Sequence, residues 1–139
     1  MALFKSSEEF YAAIGGLLER VREDRELYEA LADSGLVFRF RHFDPEATIT
    51  LDGRPGVNAI RYGEDDVPAS GELQMSCDKA HAFWMGRLNI VAEVLSGRIA
   101  YRGSLSKLQR LLPLVKPARR HYPGHLRAIG MEHLLSDSD

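Results

Sequence analysis

The sequence has a single cysteine, Cys77, so no disulfide can close within the chain and a reducing compartment is expected. It has no run of about 18 apolar residues, the length a helix needs to cross a bilayer. Its opening, MALFKSSEEF, lacks the apolar stretch of a secretory signal, and the expected location is cytoplasmic. Glycine-rich phosphate loops of the nucleotide-binding kinds are missing too. Most unevenly distributed is negative charge: from Arg98 to Met131 there is no Asp or Glu, while Arg98, Arg102, Lys107, Arg110, Lys116, Arg119, Arg120 and Arg127 are all basic. In a chain of net charge −2 this is a local cationic block, which fits either a solvated face whose counter-charges come from elsewhere in the fold or a surface suited to an anionic head group or an acidic membrane. Nucleic acid is not the expected partner, because the block holds only Tyr101 and Tyr122 as aromatics and no recognisable binding module.

What is present is an ordinary globular composition. With 139 residues, 45% apolar and 27% charged, the chain is long enough for one domain with a two-layer core. Ser6 or Ser7 can cap a first helix, with Glu8 and Glu9 at its positive end. Phe10, Ile14, Leu17, Leu18 and Val21 recur at helical spacing, and the pattern resumes through Ala30 and Leu31 to the stop at Gly35. Gly15 and Gly16 interrupt it, which predicts a bend or a close contact between helices.

The period then changes to two. Leu36, Phe38 and Phe40 alternate with Val37, Arg39 and Arg41, Ala47, Ile49 and Leu51 with Thr48 and Thr50, and Leu73, Met75 and Cys77 with Glu72, Gln74 and Ser76. Residues 57–62 make a further strand, and 63–71 read as an acidic exposed loop. Asp78 is placed to cap a helix over 79–85, Asn89 one that ends at Leu95, and Ser104 one striped by Leu105, Leu108, Leu111, Leu112 and Val115. Ile99 and Tyr101 form a short strand between Gly97 and Gly103, and Pro113 demands a kink or a fresh start. Short connections and clean alternation predict an α+β fold whose mostly antiparallel sheet is covered by helices on one face. The expected layout is a single domain: helical over 1–35, antiparallel strands over 36–77, helix-helix-strand-helix over 78–118, and a tail over 119–139.

The run LQMSCDKAHAFWMGRLNIVAEVLSGRIAYRGSLSKLQRLLPLV resembles the sterol carrier protein 2-like (SCP2) domain family. The shared features are an amphipathic strand ending at a helix, Gly86 and Leu88, an alanine-containing helix with Ala92, the Gly97, Ile99 and Gly103 pattern, and then a leucine-rich helix. ATITLDGRPG and VNAIRYG sit where that family has its first hairpins, so the resemblance covers about 36–115. Two departures are Ser104, where the family often has an acidic residue, and the chain beyond Pro117, which matches no family feature.

The resemblance implies a five-stranded sheet with an apolar tunnel between sheet and helices, holding a fatty acid, acyl-CoA, sterol or similar hydrophobe. The wall residues it suggests are Phe38, Phe40, Met75, Phe83, Trp84, Leu88, Val91, Leu95, Leu108, Leu111 and Leu112, each of which also suits plain core. Arg98, Arg102, Arg119 and Arg120 are the candidates for a head group or transient membrane contact. Each methylene removed from water contributes about 0.8 kcal/mol, whereas an exposed ion pair gives about 0–1 kcal/mol. The tunnel would set affinity and the charges orientation.

No catalytic constellation competes strongly with that reading, and neither a metal nor a cofactor is expected. His121 and His125 are four apart, but Pro123 and Gly124 between them speak against one helix face, and His42 and His81 are isolated. Cys77 reads as a buried structural thiol. Two alternatives stay open: a small enzyme on a cone-shaped α+β fold, for which His42 or Tyr101 would have to serve, and an accessory domain that recruits an enzyme.

Overall fold

The computed structural model describes residues 2–136. The chain starts with α1 (Ser7–Phe10), where the Ser6 hydroxyl accepts from the Glu9 amide at 3.1 Å. It runs through a wide π-helical turn (Tyr11–Gly15) into α2 (Gly16–Arg22). Both glycines are sites of close approach. A Cβ on Gly15 would stand 2.7 Å from Cε1 of Tyr62, and one on Gly16 would stand 2.6 Å from Nε2 of His125. Asp24 then caps a separate helix, α3 (Arg25–Ser34), which Gly35 ends in the left-handed conformation at φ 65°.

Five strands follow: β1 (Val37–Phe43), β2 (Ala47–Asp52), β3 (Ala59–Tyr62), β4 (Gly71–Ser76) and, later, β5 (Ala100–Arg102). Their order across the sheet is β3-β2-β1-β4-β5. The sheet is mixed, which corrects the expectation of mostly antiparallel strands over 36–77. β1 and β4 are parallel, with Phe40 beside Leu73 and His42 beside Met75. The cause is the segment 63–70, which carries the chain from β3 across the sheet's outer face to the far side of β1. It is anchored there rather than fully exposed. The Arg39 guanidinium donates to the Val67 carbonyl at 2.6 Å and the Ser70 amide to the Val37 carbonyl at 2.7 Å, while Asp65 pairs with Arg39 at 3.4 Å and with Arg61 at 2.5 Å.

The register assigns the two faces. Phe38, Phe40 and His42 of β1 stand beside Leu51, Ile49 and Ala47 of β2 on the helix side. Arg39, Arg41, Thr48, Thr50, Asp52 and Arg61 share the outer side. Asp52, with none of its side chain exposed, sits between Arg54 at 2.7 Å and Arg61 at 2.9 Å.

After β4 comes α4 (Cys77–Trp84), capped by Ser76, whose hydroxyl accepts from the Lys79 amide at 3.1 Å. Asp78 therefore lies in the first turn instead of at the cap, and its carboxylate accepts from the Leu3 amide at 2.9 Å. Asn89 caps α5 (Ile90–Leu95) and Ser104 caps α6 (Leu105–Gln109), as expected. Gly103, at φ 136°, could not carry a side chain, because a Cβ would meet the Tyr101 hydroxyl at 2.6 Å and the Ser70 carbonyl at 2.9 Å.

The largest departure is α7 (Leu112–Ala128), one helix that passes through Pro117 and Pro123. The tail expected from 119 onwards is thus helical to Ala128, and the boundary at 118 falls inside an element; residues 137–139 lie outside the described residues. An interior proline disfavours a helix by about 3 kcal/mol. Here one face is buried through Leu114, Val115, Ala118, Tyr122, His125 and Leu126, and that burial outweighs the loss. A short 3-10 turn (Glu132–Leu135) then returns Leu134 to the core. No helix among the described residues is long and apolar enough to cross a membrane.

Candidate functional site

The site is organised by two adjacent pairs of residues, one on α4 and one on α7. Phe83 and Trp84 close α4 with their rings 4.8 Å apart at 67°. Trp84 lines a cavity between helices and sheet, and Phe83 lines a cleft on the other side. On α7, Leu114 faces the same cavity while Leu112 and Val115 line the cleft. The two spaces therefore meet at these neighbouring pairs, each pair giving one side chain to either space.

The cavity is floored by Leu51 of β2 and Ile60 of β3. Leu18, Val21 and Arg22 of α2 and Tyr28 and Leu31 of α3 enclose it with Trp84 and Leu114. Its walls are almost wholly apolar. Its volume, about 30 Å³, has room for about two water molecules and lies far below the roughly 300–1,000 Å³ of ligand pockets. In place of the expected tunnel there is a small, partly open apolar cavity at the β2–β3 end of the sheet, with the half-exposed Tyr28 at its edge.

The cleft is open and larger, about 580 Å³, with Gly86, Arg87, Leu88, Asn89, Ile90, Val91 and Arg119 completing its lining. No acidic side chain is among these residues. Arg119 lies across the Phe83 ring, its guanidinium carbon 5.0 Å from the ring centre. It donates from Nε to the Phe83 carbonyl at 2.9 Å and from a terminal nitrogen to the Leu88 carbonyl at 3.3 Å, covering the open end of α4. Burial lowers its pKa from the usual arginine value, though a guanidinium of this kind stays charged.

Titratable groups elsewhere are tied into structure. The His42 ring lies 4.4 Å from that of Phe10, and its Nδ1 donates to the Ala47 carbonyl at 3.0 Å; burial lowers its pKa to about 4. His81 Nε2 meets the Leu134 carbonyl at 3.1 Å and must donate to it, so Nδ1 accepts from the Tyr122 hydroxyl at 2.7 Å. Burial raises the Tyr122 pKa far above the phenol range. The Cys77 thiol, pushed up to about 12 mainly by burial, donates to the Pro45 carbonyl at 3.1 Å. None of these four side chains lines the cavity or the cleft. His121 and His125 do share α7, contrary to the sequence expectation, but each has its own partner: Asp24 at 3.1 Å for His121, Arg20 and the Ala12 carbonyl for His125. Among the described residues no group of three or more His, Cys, Asp or Glu is arranged to hold a metal.

No family model matches the sequence, and no curated protein matches it. Solved structures do match its fold. The sterol carrier protein domain 2 of Helicoverpa armigera aligns with a TM-score of 0.62 at 18% identity, covering 79% of this chain and 86% of that one. Sterol carrier protein 2 from Yarrowia lipolytica, in its apo form, gives 0.62 at 16% identity over 81% and 91%. UbiJ-SCP2, a ubiquinone synthesis protein, gives 0.59 at 17% over 86% and 98%. The fold is that of a sterol carrier protein 2 domain.

Within this SCP2 fold the residues expected at the wall divide into three groups. Phe83, Leu88, Val91 and Leu112 meet at the cleft together with Arg119, and Trp84 lines the cavity. Phe38, Phe40, Met75, Leu108 and Leu111 are buried core that lines neither space. Leu95 is 70% exposed and lines neither. Of the basic candidates, Arg98 pairs with Glu93 at 2.6 Å, Arg102 stands opposite Glu72 on the outer sheet face, and Arg120 pairs with Glu26 at 3.6 Å. Most of the cavity wall comes from α2, α3, β2 and β3 of the SCP2 fold, and sequence reasoning missed it. Val21 and Leu31 belong to apolar stripes that could have pointed there, but which space they face depends on long-range packing.

Proposed function

We propose that this protein is a non-catalytic lipid-binding protein that holds a fatty acid, acyl-CoA, sterol or similar hydrophobe between its helices and its sheet. The observation that carries the reading is the Phe83–Trp84 pair, which sets an open cleft with basic residues beside a small apolar cavity. The SCP2 fold supports it, since that is the fold of proteins named as sterol carriers. In this reading the head group stays in the cleft near Arg119. The hydrocarbon displaces Trp84 and extends towards Ile60 and Tyr28, widening the cavity as α3 moves off the sheet. A long chain contributes about 0.8 kcal/mol per buried methylene, enough to offset the disturbed packing.

Trp84 is the only tryptophan, so it reports on its own displacement. Titrating the protein with fatty acids, acyl-CoAs, sterols and quinones should change Trp84 fluorescence, and native mass spectrometry should find the corresponding adduct. No change and no adduct across all four classes would refute the proposal.

The UbiJ-SCP2 likeness favours a second reading, in which the domain presents a bound hydrophobe to a biosynthetic enzyme. Affinity isolation from native cytosol separates the two: co-purification of lipid with a stoichiometric enzyme supports presentation, and lipid alone supports carriage.

A further inference from the structure

Leu95 is the most exposed large apolar side chain among the described residues, 70% open to solvent at the end of α5. It lies one helical turn beyond Val91, so it continues the apolar rim of the cleft that Val91 and Leu88 begin. Across the cleft, Leu112 is itself 39% exposed. Lys116 and Arg119, four and seven positions further along α7, share the face of Leu112; Arg119 and Arg87 line the cleft itself, and Lys116 lies beside it on the exposed surface. Lys116 is exposed and forms no ion pair among the described residues. The whole segment from Arg98 to Met131 carries no acid. On α5 the one acid, Glu93, is largely buried and paired with Lys79 and Arg98, so the exposed leucines bordered by cations are matched in charge and polarity to one occupant, the interface of an anionic bilayer.

We propose that the rim of the cleft, formed by Leu95, Leu112 and Lys116 with Arg119 and Arg87, docks this protein on anionic lipid membranes. Leu95 and Leu112 enter the boundary between head groups and chains, while the basic side chains stay at the level of the phosphates. The cleft then opens directly onto the source of the hydrophobe. The inference deepens the lipid-binding reading by naming the surface from which the site is loaded.

The test is co-sedimentation of the full chain with phosphatidylcholine vesicles, with and without phosphatidylglycerol. Binding should require the anionic lipid and should fall steeply as salt is raised through the range that screens surface charge. Leu95→Asp and Lys116→Glu, both at exposed positions, should each weaken binding by about tenfold or more. Far-ultraviolet circular dichroism confirms that each variant is folded. Binding that is insensitive to phosphatidylglycerol, or unchanged in both folded variants, would overturn the proposal. So would a dimer of the free protein that Leu95→Asp dissociates, since a second copy would then be the occupant. Uptake of a fatty acid by the vesicle-free protein, read at Trp84, is measured in parallel. If uptake persists without vesicle binding the docking surface fails alone, and if vesicle binding persists without uptake the lipid-binding reading fails alone.

Discussion

Nε of Arg20 donates a 2.7 Å hydrogen bond to Nδ1 of His125, joining α2 to the far end of α7. Arginine has no acceptor, so Nδ1 is unprotonated and Nε2 carries the hydrogen, which it donates to the Ala12 carbonyl at 2.8 Å. The ring is thereby held edge-on against Gly16, where no side chain fits.

Gly16→Ala tests that contact through the sign of its effect. Gly16 has ordinary helical angles, φ −63° and ψ −36°. Helix propensity alone would make alanine more stable by about 1 kcal/mol. The clash with His125 predicts the reverse, a loss of about 1–3 kcal/mol, read by urea unfolding. A stabilised variant would show that α2 and α7 do not meet as described.

Acid should unfold the protein in two steps of linkage. His42 takes up a proton near pH 6.5 when unfolded but only near 4 when folded, because burial lowers its pKa. Its contribution is complete above pH 6.5 and declines by about 3 kcal/mol as pH falls to 4. Asp52, lowered to about 2 first by its hydrogen bond from Arg54 and also by Arg61, adds a second decline between 3.8 and 2. His42→Gln should abolish the first decline and leave the second. Equilibrium unfolding across this pH range checks both.

Ile60→Phe places a ring in the floor of the cavity. It should reduce fatty-acid uptake by about tenfold while changing stability by less than about 3 kcal/mol, the usual range for overpacking. Adduct intensity in native mass spectrometry, compared with thermal unfolding, separates the two effects. Equal uptake would place the hydrocarbon elsewhere.

Tyr122→Phe removes the hydroxyl that donates to His81 and should destabilise the protein by about 1–2 kcal/mol. Because His81 also holds the Leu134 carbonyl, amide exchange at residues 132–135 should quicken more than exchange in β1 or β2. Uniform quickening would mean that the two ends of this chain of hydrogen bonds are not coupled.

Much of the architecture was legible in the local pattern, and what was not depended on distance. Alternation at Phe38, Phe40 and His42 identifies the buried face of β1, but an alternating strand looks the same in either direction, so the parallel β1–β4 pair left no local trace. Pro117 and Pro123 are local signals to stop, overridden by the burial of Tyr122 and His125 against α2 and α4. At the site, Phe83, Leu88, Val91, Leu112 and Arg119 were within reach because they follow one another over a short stretch. The cavity wall was not, because Leu18, Leu31, Leu51 and Ile60 meet only after the sheet has formed.

The sheet's outermost strands, β3 and β5, are four and three residues long. So brief a row of unpaired amides offers a neighbouring molecule almost nothing to zip onto. Copies of this protein brought close together would accordingly find little to pair with along these two edges, and the helical surfaces offer the larger area of contact.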